Sequence, residues 1–344
     1  MKTKVSVPGK VHLIGEHAVV YGEPAILTSI GRRVFVEAEK LDSDKVKISV
    51  NYDDKEKYED ETTVEEARTI GREALRLWEE GSKTGDFSKV FELGKGNKFG
   101  WVSIGYIMEK LGIDSGVSVR VDQRVPLGSG LGSSSAYSVA LAMALSKLFD
   151  KDATQDTANN LGYELERFKH GKPSGGDNSA CSFGGLVWFK KGDPNIIKPL
   201  KDEIQYKLEN FVLVYTKKPE KTTGELVQAV RDLDEEFRNH RVKKLGELTN
   251  EMLDVLKQKD FHRMKDIINE TQKHLADLDV SIAEIDEIAE AVRKLGGAAK
   301  LCGAGGGGTM LCWHEDKAKL IAAIKQLGYE PWETDLAVEG VRVE

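Results

Sequence analysis

The residues of this 344-residue chain most able to do chemistry fall in four short runs. The first is Pro126-Leu127-Gly128-Ser129-Gly130-Leu131-Gly132-Ser133-Ser134-Ser135-Ala136, glycines and serines directly before an apolar-periodic helix predicted over about 133–149. Glycine lets backbone N–H groups turn toward a ligand without a Cβ in the way. The helix start adds unpaired N–H groups and the positive end of a dipole. Together they suit an anion, most often phosphate. No Gly-Lys-Ser/Thr closes the run, so it is not a Walker A loop. A plain strand-to-helix turn would use the same residues.

The second run is Pro8-Gly9-Lys10-Val11-His12-Leu13-Ile14-Gly15-Glu16-His17, which brings a cation, a carboxylate and an imidazole close together. A lysine in a cleft can neutralise phosphoryl charge and lower the pKa of a nearby hydroxyl. His12 is expected on the opposite strand face, in a structural role. The third, Glu164 to Asn178, sets one carboxylate on a helix (Glu166) and another on a glycine-rich loop (Asp177). One carboxylate can hold Mg²⁺ together with phosphate oxygens, while the other accepts or orients a substrate proton. The fourth is Gly303-Ala304-Gly305-Gly306-Gly307-Gly308 after a strand. So many glycines are entropically costly unless the backbone must approach something closely; the other use is a flexible connector.

Strands are predicted at 3–8, 33–39, 45–50, 117–121 and 186–189, and helices at 63–80, 97–111 and 153–169. The charged run 52–61 reads as a solvated loop. Trp78 and Trp101 read as packing residues. The second half reads as a strand at 211–215, helices near 222–237, 239–258, 260–276 and 281–295, strands at 299–302 and 309–313, and a helix near 315–327. Strands and helices mix without strict alternation, so the fold class is α+β. A junction near 190–201 divides the chain into domains 1–190 and 191–344.

Hydrophobic residues make up 40% and charged residues 31%, as in soluble globular proteins, and the net charge of −7 argues against nucleic acid as a partner. No apolar run is long enough to span a membrane. Three cysteines without metal-type spacing predict free thiols and a cytoplasmic protein without zinc.

The four runs, in this order and separation, resemble the GHMP kinase superfamily. Gly9-Lys-Val-x-Leu-x-Gly-Glu-His-Ala-Val-Val and His170-Gly-x-Pro-Ser-Gly-x-Asp-Asn are similar to its mevalonate kinase branch. The resemblance implies a two-domain α+β fold with ATP in the cleft between domains. It implies phosphorylation of the C5 hydroxyl of mevalonate to 5-phosphomevalonate, with ATP and Mg²⁺. Lys10 and Asp177 would be catalytic. Pro126, Gly128, Ser129, Gly130, Gly132, Ser133, Ser134 and Ser135 would cradle the nucleotide, and Ser134 and Glu166 would ligate Mg²⁺. Lys10, Glu16, His17, Asp177, Thr223, Gly303 and Ala304 would lie at the substrate, with Thr222 a rival for Thr223. A homodimer is implied as well. Sister kinases for phosphomevalonate or a sugar, a diphosphomevalonate decarboxylase, and a non-catalytic nucleotide-binding relative share the fold. Gly176 stands where the family carries a branched apolar residue, which predicts a larger substrate pocket. Residues 52–100 match no motif and are expected at the cleft mouth or an oligomer interface.

Overall fold

The computed structural model describes residues 1–52 and 56–344. Strand β1 (Lys2–Ile14) passes through a short 3₁₀ turn (Ala18–Tyr21) into β2 (Pro24–Lys40), β3 (Lys45–Tyr52) and β4 (Glu56–Thr63). Helices α1 (Val64–Thr84), α2 (Ser88–Leu93) and α3 (Lys98–Leu111) precede β5 (Val117–Gln123). Next come α4 (Ser133–Leu148), α5 (Gln155–His170), α6 (Gly176–Phe183), β6 (Leu186–Lys190), β7 (Ile196–Pro199) and β8 (Leu208–Tyr215). The remainder is α7 (Thr223–Arg231), α8 (Glu235–Gln258), α9 (Phe261–Asp277), α10 (Ala283–Lys294), β9 (Ala298–Leu301), β10 (Thr309–Trp313), α11 (Lys317–Gln326), β11 (Pro331–Leu336) and β12 (Arg342–Val343).

The strands join in one mixed sheet ordered β4-β3-β5-β2-β11-β8-β10-β9, with β1 and β6 pairing further along the long β2. In β5 the alternation is legible: Val117, Val119 and Val121 point inward and polar residues outward. Helix α4 lies across β1 and β2 and is buried on nearly every side from Ser135 to Leu148, as its Ala-rich, all-round apolar sequence requires. The last residues return to the first strand. Val343 pairs with Val5, and buried Arg33 donates to the carbonyls of Ser6, Glu339 and Gly340.

The unmatched segment 52–100 is ordered secondary structure. Of the run expected as a solvated loop, residues 53–55 lie outside the described residues, and Glu56–Thr63 is strand β4, in antiparallel register with β3. Cross-strand pairing overrode the unfavourable charge content: Lys45 and Lys47 on β3 each meet Glu61 on β4. Thr63 and Glu66 close a capping box at the start of α1. Helices α1 and α3 cross in backbone contact. A Cβ on Gly71 would lie 2.3 Å from Gly105 C, and one on Gly105 would lie 1.9 Å from Ala67 O. Trp78 packs as expected and also donates to Gly171 O at 2.8 Å, tying α1 to the turn after α5. Trp101 donates to Asp60 on β4 at 3.1 Å.

Candidate functional site

Lys10 is placed by its backbone and by its neighbours' lack of side chains. Its N–H donates to Leu131 O at 2.9 Å, stitching β1 to the glycine–serine loop. A Cβ on Gly9 would sit 2.7 Å from that same carbonyl, so the two segments can meet only at glycine. Gly132, with φ near +70°, lets the lysine shaft pass: a Cβ there would lie 2.7 Å from Lys10 Cγ and 3.2 Å from Cε. The ammonium, 5% exposed at the residue level, meets Asp177 Oδ2 at 3.0 Å.

Asp177 was expected on a loop; it is instead in the first turn of α6, entered through Gly175 at φ +83°. Burial raises its carboxyl, but the Lys10 ammonium outweighs that and holds it below its usual value. His12 departs from expectation. Two residues from Lys10, it shares that residue's strand face. Burial and then the Lys10 charge drive its imidazole down to about 3, so it is neutral.

The loop from Pro126 to Ser135 turns through positive φ at Gly128, Gly130 and Gly132, and Ser129 closes it by donating to Pro126 O at 2.7 Å. Helix α4 then begins at Ser133 with no side-chain cap, leaving its first N–H groups for an anion. Glu166 on α5 points at this helix start and is 3% exposed. It accepts from Ser135 at 2.7 Å, Ser134 at 3.2 Å and Ser138 at 3.3 Å, with His170 Nε2 at 3.5 Å. One carboxylate beside a partly exposed serine hydroxyl fits Mg²⁺, which takes few protein ligands and completes its shell with phosphate oxygens and water. Among the described residues no group of three or more His, Cys, Asp or Glu could hold a metal by itself.

A cavity of about 380 Å³ opens beside the same helix start. Gly128, Ser133 and Ser134 form one wall; Tyr52, Asn97, Phe99 and Gly100 from the unmatched segment form another, with Tyr137 and Lys169. Segment 52–100 therefore lines the cleft. Its contributors were missed because no motif marks them; Gly94, Gly96 and Asn97 read only as a turn.

On the other side of Lys10, the Glu16–His17 turn meets the second glycine run. His17 Nε2 pairs with Ala304 O at 2.9 Å, and burial lowers its pKa. The Glu16 carboxylate contacts Lys300 Nζ; burial raises its pKa against the opposing Lys300 charge. Sequence reasoning missed Lys300, although a lysine inside Ala298-Ala299-Lys300-Leu301 is a signal, because a buried charge needs a partner. The glycine run is not a flexible connector. Gly305 fits against Val280 O, where a Cβ would approach to 2.2 Å, and Gly306 N donates to that carbonyl at 2.9 Å. Thr309 Oγ1 donates to Ser129 O at 2.9 Å, joining the two glycine loops.

One expectation changes. Gly176 does not enlarge a pocket: it is buried, and a Cβ there would meet the Phe189 ring at 3.3 Å, so the phenyl fills the space. Thr223 is the exposed first residue of α7, and among the described residues no hydrogen bond ties it to the Lys10–Asp177 group. Thr222 is its N-cap, bonded reciprocally with Glu225.

Family models describe two segments of the chain: "GHMP kinases N terminal domain" matches residues 99–185 and "GHMP kinases C terminal" residues 252–333. The mevalonate kinase of Pyrococcus abyssi is 30% identical, over 98% of this chain and 97% of that protein. That of Pyrococcus furiosus is 31% identical, over 100% and 99%. The crystal structure of Methanococcus jannaschii mevalonate kinase superposes with a TM-score of 0.81 at 26% identity, covering 98% of this chain and 99% of the other.

Proposed function

The chain belongs to the mevalonate kinase branch of the GHMP kinases, and we propose that it transfers the γ-phosphoryl group of ATP to the C5 hydroxyl of mevalonate, releasing ADP and 5-phosphomevalonate. The observation that carries this reading is the Lys10–Asp177 pair, 3.0 Å apart, beside a glycine loop and an uncapped helix start. Phosphoryl transfer asks a protein mainly for in-line positioning and charge stabilisation. The nucleotide phosphates lie along Gly128 to Ser135, and the base occupies the cavity walled by Tyr52, Asn97 and Phe99. Ser134 and Glu166 would hold Mg²⁺, which would neutralise phosphate charge there. Substrate lies between Asp177 and the Glu16–His17 turn, with Gly303 and Ala304 on its far side. We propose a domain boundary near residue 190, a position supported by its lying between the two matched family segments.

The hydroxyl oxygen attacks phosphorus as the bond to the β-phosphate oxygen breaks, and ADP leaves with that electron pair. Asp177 receives the hydroxyl proton. Its depressed pKa makes it a weak base, so it orients the hydroxyl first and takes the proton late. Lys10 lowers the energy of the alkoxide character that develops.

The test is ADP release with MgATP and a panel of mevalonate, phosphomevalonate, galactose and homoserine, alongside Asp177→Asn. Turnover on mevalonate that the substitution reduces about 10²- to 10⁴-fold is expected. Turnover on another alcohol alone would move the substrate and keep the site.

A further inference from the structure

Residues 300–304 bond to His12, Glu16 and His17. Lys300 Nζ donates to His12 O at 3.4 Å and to the Glu16 carboxylate, and Ala304 O pairs with His17 at 2.9 Å. The gripped segment is strained. Ala18 N–H donates to Glu16 O at 2.6 Å across a γ-turn, with His17 at φ 58°, ψ −45°. A positive-φ γ-turn is rare, and one centred on a β-carbon-bearing residue persists only where its surroundings hold it.

Lys300 is fully buried. Its ammonium is saturated by Glu16, His12 O and Leu301 O, the last at 2.9 Å, so it has no donor to offer a ligand. Glu16 is also buried. Its Oε2 has no hydrogen-bond partner, so Lys300 is the only side chain bonded to the carboxylate among the described residues. A buried ion pair is weak evidence for stability; replacing both charges together is often neutral, whereas removing one strands the other. Its best-supported use is to fix one geometry.

Resting on the kinase reading above, we propose that Lys300 is a positioning residue. It never touches substrate, and it holds the strained Glu16–His17 turn in the geometry that receives the alcohol. Its action is confined to the alcohol side of Lys10, because the nucleotide cavity is lined by other elements.

The experiment compares wild type, Lys300→Met, Glu16→Gln and the double variant, reading KM for mevalonate, KM for ATP, kcat and melting temperature. Lys300→Met is expected to lower kcat/KM for mevalonate about 100-fold, the usual penalty for a displacement near 1 Å, with the loss seen in KM for mevalonate. KM for ATP stays at the wild-type value. The double variant, with no buried charge left unpaired, is expected to melt above Glu16→Gln while matching its KM for mevalonate. A Lys300→Met enzyme that melts lower yet keeps its mevalonate KM overturns the proposal, as do losses that multiply in the double variant. Should Lys300→Met fail to fold, Lys300→Gln takes its place, with the same split expected at smaller size. Wild type inactive on mevalonate overturns the substrate reading and this proposal together. Wild-type turnover with multiplying losses overturns this proposal alone.

Discussion

Gly132 offers a perturbation whose effect follows from distances. In Gly132→Ala the new methyl would fall 2.7 Å from Lys10 Cγ. Carbon atoms rest about 3.5 to 4.0 Å apart, so the lysine shaft must retreat by about 1 Å. The far side is closed, since Cys181 Sγ lies 3.5 Å from the same Cβ position. The retreat lengthens the 3.0 Å contact between Lys10 and Asp177, the pair to which the proposed mechanism assigns the transfer. A misplacement of about 1 Å is worth about 10²-fold in rate, or about 2.7 kcal/mol of barrier. The substitution also forces alanine into a left-handed conformation at φ +70°, destabilising the fold by about 1 to 2 kcal/mol.

The two effects separate with a control. Gly112, at the C-terminus of α3, has φ +63° and nothing within 4 Å of its Cβ position. Gly112→Ala should lower the melting temperature about as much as Gly132→Ala does and leave kcat alone. Steady-state ADP release and thermal melts on both variants are the assay. If the two share one kcat, the glycine serves only its own backbone, and the account of how Lys10 is aimed is wrong.

Acid pH should act on substrate binding before it acts on turnover. Glu16 is held above its ordinary value by burial, and Asp177 below its own by Lys10 despite burial, so falling pH protonates Glu16 while Asp177 is still ionised. KM for mevalonate then rises ahead of any fall in kcat; a kcat that drops first would contradict this order. Gly176→Val should overpack against Phe189 and destabilise by about 1–3 kcal/mol, read as a lower melting temperature. Much of that loss should return in a Phe189→Leu background, and full additivity of the two changes would show that they do not meet. Gly105→Ala places a methyl 1.9 Å from Ala67 O and must part α1 from α3. Since α3 carries Phe99 and Gly100 of the cavity wall, KM for ATP should rise with little change in KM for mevalonate.

The chemistry was legible in the sequence wherever it depended on residue type within one run. Lys10, Ser134, Glu166 and Asp177 stood out by residue type, and the fold pairs Lys10 with Asp177 and Ser134 with Glu166. What stayed hidden depends on partners far along the chain. Lys300 is a charge inside an apolar strand, and only Glu16, 284 positions away, explains it. Phe189 compensates for Gly176 from a strand that no local pattern links to it. Segment 52–100 was unreadable for another reason: its outer faces carry dense charge, with Arg68 and Arg72 both on Glu109, which masks the glycines that let α1 and α3 touch. Helix α6 was missed because it is short and begins at glycines, yet it carries Asp177, the partner of Lys10.

The bonds that assemble the cleft also set when it can form. Thr309 reaches back 180 positions to Ser129 and Ala304 reaches back 287 to His17, while the final strand closes on Val5. During synthesis on a ribosome, Lys10 emerges early and Asp177 midway, but the elements that hold the turn beside them emerge in the last fifth of the chain. Long closures are tolerable thermodynamically, because each doubling of loop length adds only about 0.6 kcal/mol. Their price is speed, since high contact order slows folding. Catalytic competence should therefore appear late in refolding, after the helical signal, and it would report that the tail of the protein has come home.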